Sequence, residues 1–258
     1  MTENPSFIFV PGAWHRAEVW QKVMSELSGQ GYTCIAVTLP STITPSAAFA
    51  DDVSVVQNTV REETQKGRDV VIVVHSYGGQ VGNSAVKGLS RKPASVSSSS
   101  GHVIGLALIA SGFPATGVSF VDGLGGEIPP EWKVDTDKGL ISLAVDPQEL
   151  MYQDLSENEG KLWVARLTIQ SVKAMTEGGE SAYAGWKEVP NWFLVTLDDR
   201  AYAAQAQRFF IKAAQDAGAD VTVREVASSH SPMLSKPKET AEFILDAAKD
   251  FVNRIPGF

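Results

Sequence analysis

The chain has 258 residues, 43% of them hydrophobic, one cysteine and a formal net charge of −8 at pH 7. This is the composition of a globular protein with apolar material for one large core or two small ones. The acidic balance, with no basic run longer than Arg91-Lys92, argues against nucleic acid or an anionic membrane as partner. The lone cysteine, Cys34, excludes an internal disulfide and a cysteine-based metal site. No apolar run approaches membrane-spanning length, and strand-like sequence begins within a few residues of the start, which leaves no room for a signal peptide. The expectation is a cytoplasmic protein.

In chain order, Ser6 to Val10 is a short apolar strand that ends at Pro11-Gly12. Glu18 to Ser28 carries Val19, Trp20, Val23, Met24 and Leu27 on one helical stripe. Tyr32 to Val37 reads as a second strand, Ala47 to Lys66 as a helix, and Val70 to Val74 as a strand buried on both faces. Ala94 to Gly101 is a serine-rich surface loop, and His102 to Ala110 is a further apolar strand. From Gly112 to about Pro190 no strand-like run occurs; Pro147 to Leu155 and Gly160 to Met175 are the best helical stretches. The alternation resumes with a strand at Trp192 to Thr196, a helix at Ala201 to Ala217, a strand at Val221 to Val226 and a closing helix from Pro237 to Arg254. Strands alternating with helices predict an α/β fold, a doubly wound mostly parallel sheet. Residues 1–112 and 190–258 form the expected core, with residues 113–189 a helical lid inserted above the carboxyl edge of the sheet.

The strand at Val70 stops at His75-Ser76-Tyr77-Gly78-Gly79, after which Gln80 to Leu89 reads as helix. A strand turning sharply into a helix with serine at the apex has the layout of a nucleophile elbow, so Ser76 is the candidate nucleophile. The usual first glycine of such a turn is Val74 here, and wider packing of the following helix is expected in consequence. A serine nucleophile needs a base and an acid that orients it. Of the four histidines, His75 points away from Ser76, His102 opens a strand and His15 lies in the loop after the first strand. His230 follows the last strand, in Ser229-His230-Ser231, and is the candidate base. The acid is Asp198 or Asp199, at the end of the preceding strand; the other serves as cap for the helix that follows. Candidate oxyanion donors are the N–H groups of Tyr77 and of Ala13, the latter in Pro11-Gly12-Ala13-Trp14-His15.

With these residues placed, the chain resembles the α/β-hydrolase fold family over essentially its whole length. It is most similar to the small single-domain branch of plant methylesterases and hydroxynitrile lyases, with their microbial esterase-like relatives. The matching segments are Phe9 to His15 with Trp20, His75 to Gly79, Thr196-Leu197-Asp198-Asp199 and Ser229-His230-Ser231. Pro11-Gly12 in place of His-Gly, and Val74, are departures from the family pattern. The resemblance selects Asp199, the third residue after the threonine, as the acid. Ser231 and Gly12 stand where the lyases carry lysine and threonine, which implies ester hydrolysis rather than cyanohydrin cleavage; Ser76 itself is unlike the aspartate of dehalogenase and epoxide-hydrolase relatives. The implied activity is cofactor-free and metal-free acyl transfer on a small to medium, apolar or aromatic ester or lactone. Trp14, His15, Trp132, Tyr152, Trp163, Tyr183 and Trp186 are the expected substrate contacts, with Phe120 and Leu124 also offered by the lid. Alternatives are a lyase, C–C hydrolase or cyclase in the same pocket, or a ligand-binding pseudo-enzyme. Oligomeric state is left open, with a homodimer through the lid helices as one outcome.

Overall fold

The computed structural model of the protein describes residues 4–91 and 100–255. Most of the serine-rich loop expected from Ala94 lies outside the described residues. The chain runs β1 (Ser6–Val10), α1 (Gln21–Ser28), β2 (Cys34–Ala36), α2 (Phe49–Gln65), β3 (Val70–His75), α3 (Gly78–Ala85) and β4 (Val103–Ile109). An insert follows, with α4 (Phe120–Gly123), β5 (Trp132–Asp135), β6 (Leu140–Leu143), α5 (Pro147–Met151), α6 (Glu157–Arg166), β7 (Gln170–Ser171) and α7 (Val172–Thr176). The core resumes with β8 (Asn191–Thr196), α8 (Ala204–Asp216), β9 (Val221–Val226), α9 (Pro232–Ser235) and α10 (Pro237–Asn253). Among the described residues no helix is long and apolar enough to cross a membrane.

The central sheet has the order β2-β1-β3-β4-β8-β9, and every pairing is parallel. A parallel sheet must be covered on both faces, and the strands divide their side chains accordingly. Ile8, Val10, Val70, Ile72, Val74, Leu106, Leu108, Phe193 and Val195 join Val53, Val56 and Val60 of α2, Val81 of α3 and Ile211 of α8. Phe7, Phe9, Val71, Val73, Ala107, Ile109, Trp192 and Leu194 join Val23 and Leu27 of α1 and Phe243, Ala247 and Phe251 of α10. β4 and β8 are parallel sheet neighbours, so the insert starts from the carboxyl end of β4 and returns to the amino end of β8 at the opposite edge of the sheet.

The insert is not purely helical. β5, β6 and β7 form a small antiparallel sheet. The helix expected over residues 160–175 ends at Arg166, because Leu167 is extended and Gln170–Ser171 pair with β6. Thr168 and Ile169 are β-branched and suit that extended path, and a short helix, α7, resumes at Val172. β5 and β6 are four residues each, too short for an alternation to stand out in sequence.

The turn after β3 depends on close approach. A Cβ on Gly78 would lie 2.5 Å from the Pro11 carbonyl oxygen, and one on Gly79 would lie 1.8 Å from Ser111 Oγ. Val74 does not force α3 away. Gly82, one turn into α3, makes room instead, since a Cβ there would sit 2.3 Å from Val74 Cγ1. The space saved by glycine on the strand in the usual pattern is saved here on the helix. Because a buried, β-branched Val74 has little rotamer freedom, Gly82→Ala should destabilise by roughly 1–3 kcal/mol. Val74→Ala added to Gly82→Ala should recover part of that loss in urea unfolding; strictly additive losses would refute the complementarity.

Glu63 near the end of α2 is buried and fastens the start of β1. Its carboxylate accepts from Ser6 Oγ at 2.7 Å, Lys66 Nζ at 2.6 Å and Arg68 at 3.1 Å. Burial opposes ionisation, but the hydrogen bonds from Lys66, Ser6 and Arg68 outweigh it and hold the carboxyl below its ordinary value of 4.5. A carboxyl whose folded pKa is depressed contributes stability that is complete above the unfolded value and lost as pH falls through the folded one. Glu63→Gln should therefore cost about 1–2 kcal/mol at pH 7, with the gap to the unsubstituted protein closing below pH 4. A gap independent of pH would overturn this reading.

Candidate active site

Ser76 sits between β3 and α3 with φ at +49°, a left-handed conformation that a residue bearing a Cβ adopts rarely. Its N–H donates to Ile109 at 3.2 Å, and its carbonyl accepts from Gly79 N at 2.8 Å and Ser111 Oγ at 2.8 Å. Among the described residues two further non-glycine residues have positive φ, Trp14 at +60° and Ala110 at +46°. All three lie on the wall of one cavity of about 550 Å³.

His230 lines the same cavity. Its Nδ1 lies 2.8 Å from Asp199 Oδ2. An aspartate carboxylate only accepts, so Nδ1 carries the proton and Nε2 is left as the acceptor. Asp199 is itself held by four more donors: Thr196 Oγ1 at 2.7 Å and Gln207 Nε2 at 3.2 Å on Oδ2, and the N–H groups of Ala201 at 2.9 Å and Tyr202 at 2.7 Å on Oδ1. Neither aspartate caps the following helix: the two N–H groups that Asp199 accepts lie in the turn before α8, whose N-cap, Ala203, has no side-chain cap. Asp198 is exposed, and its contacts to Ser228 and Gln153 are through its backbone. α8 begins three residues later than expected, at Ala204.

The other histidines are engaged elsewhere. His75 Nε2–H donates to the His230 carbonyl at 2.8 Å, which anchors the loop carrying His230. Burial, together with the nearby His230 and His15, pushes the His75 pKa well below its ordinary value. His15 Nδ1–H donates to the Ala13 carbonyl at 2.7 Å, so its Nε2 accepts from Tyr152 Oη at 2.5 Å. Burial lowers the His15 pKa to about 4, so it is neutral at pH 7. His102 is half-buried, at the start of β4, away from this cluster.

The loop from Pro11 to His15 packs directly on Ser76; a Cβ on Gly12 would lie 3.1 Å from Ser76 Cβ. The N–H groups of Ala13 and Tyr77 have no acceptor among the described residues. The next residue, Trp14, is bolted to the insert. Its N–H donates to Gln170 Oε1 at 3.4 Å, its indole Nε1–H to Ile141 O at 2.9 Å, and its carbonyl accepts from Thr168 N and Thr168 Oγ1, each at 2.9 Å. Tyr77 is fixed from behind by its hydroxyl, which donates to buried Asp52 at 2.7 Å.

Of the aromatic contacts expected from sequence, Trp14 and Trp132 line the cavity, as do Phe120 and Leu124. The rest do not reach it. Tyr152 is fully buried against His15, and Trp163 is buried under the Arg166 guanidinium. Trp186 donates to Pro114 O at 2.8 Å from behind Phe113, and Tyr183 hydrogen-bonds Glu188 beneath Lys87. The cavity instead takes Phe113, Tyr202 and Phe210, with Gln80 and Glu131 among its polar groups. Tyr202 and Phe210 stack at 5.8 Å. The available sequence signal was Phe210, an aromatic off the buried stripe of α8 formed by Gln207, Ile211 and Ala214.

Comparison with known proteins agrees with this architecture. A family model described as the alpha/beta hydrolase family matches residues 7–243. The alpha/beta hydrolase nvfD of Aspergillus novofumigatus is 30% identical over 253 residues, covering 96% of this chain and 98% of that protein. Methylesterase 1 of Arabidopsis thaliana is 24% identical over 268 residues, covering 95% of this chain and 97% of that protein. The crystal structure of tomato methylketone synthase I complexed with 2-tridecanone is similar with a TM-score of 0.75 at 18% identity, covering 96% of this chain and 99% of that one. With its parallel sheet, its strained turn at Ser76 and a family match across nearly its full length, the chain belongs to the alpha/beta hydrolase family.

Proposed function

We propose that the protein is a serine esterase that cleaves a small to medium, apolar or aromatic carboxylic ester or lactone. The observation that carries this reading is the His230–Asp199 hydrogen bond of 2.8 Å, which leaves His230 Nε2 as an acceptor on the cavity that Ser76 also lines. In this mechanism Nε2 takes the Ser76 hydroxyl proton as Oγ attacks the substrate carbonyl. The unbonded N–H groups of Ala13 and Tyr77 receive the oxyanion, and the helix N-terminus behind Tyr77 favours the same charge. His230 then passes its proton to the departing alcohol. Water, deprotonated by the same nitrogen, hydrolyses the acyl-enzyme and restores Ser76. No metal or cofactor takes part, and the insert serves as a lid whose inner wall is Phe120 and Trp132. Similarity to an Arabidopsis protein named as a methylesterase supports ester chemistry.

A second reading, a non-hydrolytic lyase, C–C hydrolase or cyclase, draws on the structural similarity to a protein named as a synthase. The two separate in one assay series with short-chain p-nitrophenyl and naphthyl esters. The unsubstituted protein should turn them over, Ser76→Ala and His230→Ala should each lose about 10⁴-fold or more in kcat, and Asp199→Asn about 10²–10⁴-fold. Asp198→Asn should stay within about twofold, since that side chain is exposed. An inert protein, or an active Ser76→Ala, would move the case to the second reading.

A further inference from the structure

The cavity wall is unbalanced in charge. Among the described residues no lysine or arginine lines it, and it holds one side-chain carboxylate, Glu131, which makes no hydrogen bond or ion pair. Lys133, two residues on, is exposed and not part of the wall. Some of the remaining polar side chains donate within the protein. Gln80 Nε2 donates one of its two N–H groups to Val118 O at 2.9 Å, which leaves the other N–H and the acceptor Oε1. Ser111 Oγ donates to Ser76 O at 2.8 Å, and Ser119 Oγ donates to Asp122 Oδ2 at 2.7 Å. His230 Nδ1–H is committed to Asp199. The Tyr202 hydroxyl and the Trp132 indole N–H are side-chain donors on the wall without a partner among the described residues.

The Glu131 carboxylate has no donor from the protein, so a ligand that brings one satisfies it. A ligand carboxylate would bring only more acceptors, and a negative charge beside Glu131 in an enclosed, partly apolar site. The aromatic wall next to Glu131 favours the opposite charge or none: Phe120 and Trp132 stack at 6.3 Å, and Trp14 meets Trp132 edge-on at 5.5 Å.

We propose that Glu131 and Gln80 define the substrate class: an uncharged or cationic ester that carries a hydrogen-bond donor, such as a hydroxyl or amine, away from its reacting carbonyl. Esters with a second, free carboxylate are rejected. The proposal rests on the reading of Ser76 as the nucleophile for its kinetic test, but not for its binding test.

The experiment uses p-nitrophenyl esters of one acyl-chain length that end in methyl, hydroxyl or carboxylate. In the unsubstituted protein kcat/KM for the carboxylate ester should fall at least tenfold below the methyl ester, with the hydroxyl ester equal to or above it. Glu131→Gln should narrow the methyl-to-carboxylate ratio at least fivefold. Binding of the same three compounds to Ser76→Ala, followed by quenching of Trp14 and Trp132 fluorescence, should show the same order. A carboxylate ester handled within twofold of the methyl ester, or a ratio unchanged in Glu131→Gln, overturns the charge filter. Ordered binding without turnover in the unsubstituted protein would overturn the esterase reading alone and leave the filter standing.

Discussion

Three residues with positive φ hold the cavity together, and each is kept in that conformation by something other than its own preference. Strain of this kind costs about 1–3 kcal/mol per residue and persists only where the surroundings over-determine the backbone. Ser76 is clamped between Ile109, Gly79 and Ser111, and Ala110 is tied to Leu194 of the next strand at 3.2 Å. Trp14 is held by the insert rather than by the sheet. The ends of β1, β3 and β4 are thus turned toward a common volume, and the sheet's register fixes how far apart they open.

The bolt between Trp14 and the insert makes the small antiparallel sheet part of the site. Ile141 and Gln170, which both bond Trp14, are a register pair between β6 and β7. Ala13 is one residue away, so its N–H is positioned jointly by the core loop and by the insert. A cover that only closed over the substrate would not need four hydrogen bonds to the loop beneath it. Its role in this fold is wall and brace at once.

Behind the site, buried polar groups do structural work that sequence inspection reads as candidate chemistry. His15 is hydrogen-bonded to Tyr152 and meets the His75 ring edge-on at 6.2 Å, and His75 donates to the His230 carbonyl. Asp52 holds the Tyr77 hydroxyl. These contacts fix where backbone atoms lie, and backbone atoms are what an oxyanion site is made from. Among the aromatic side chains, Trp186 and Tyr152 bond inside the protein and are spent as packing, Trp14 bonds the insert and still lines the cavity, and Trp132 and Phe120 line it without such a bond.

Periodicity in the chain was enough to determine the core. Apolar strands alternating with amphipathic helices have few ways to bury both faces of a parallel sheet, and the position of Ser76, His230 and Asp199 at strand ends follows from that order. The alternative between Asp198 and Asp199 was open to residue reading, because adjacent side chains at a strand end differ only in direction. In the tertiary structure it is Asp199 that hydrogen-bonds His230. It also decided what no local pattern encodes. Gly82 answers Val74 across an interface between strand and helix, a pairing visible only once the two are packed. The strands of the insert are too short for period to speak, and they exist because each completes another's hydrogen bonds. Which aromatics face the cavity depends on partners more than sixty residues away, such as Pro114 for Trp186 and His15 for Tyr152. Sequence determines which faces must be buried; only the folded chain determines which groups are left over to meet a substrate.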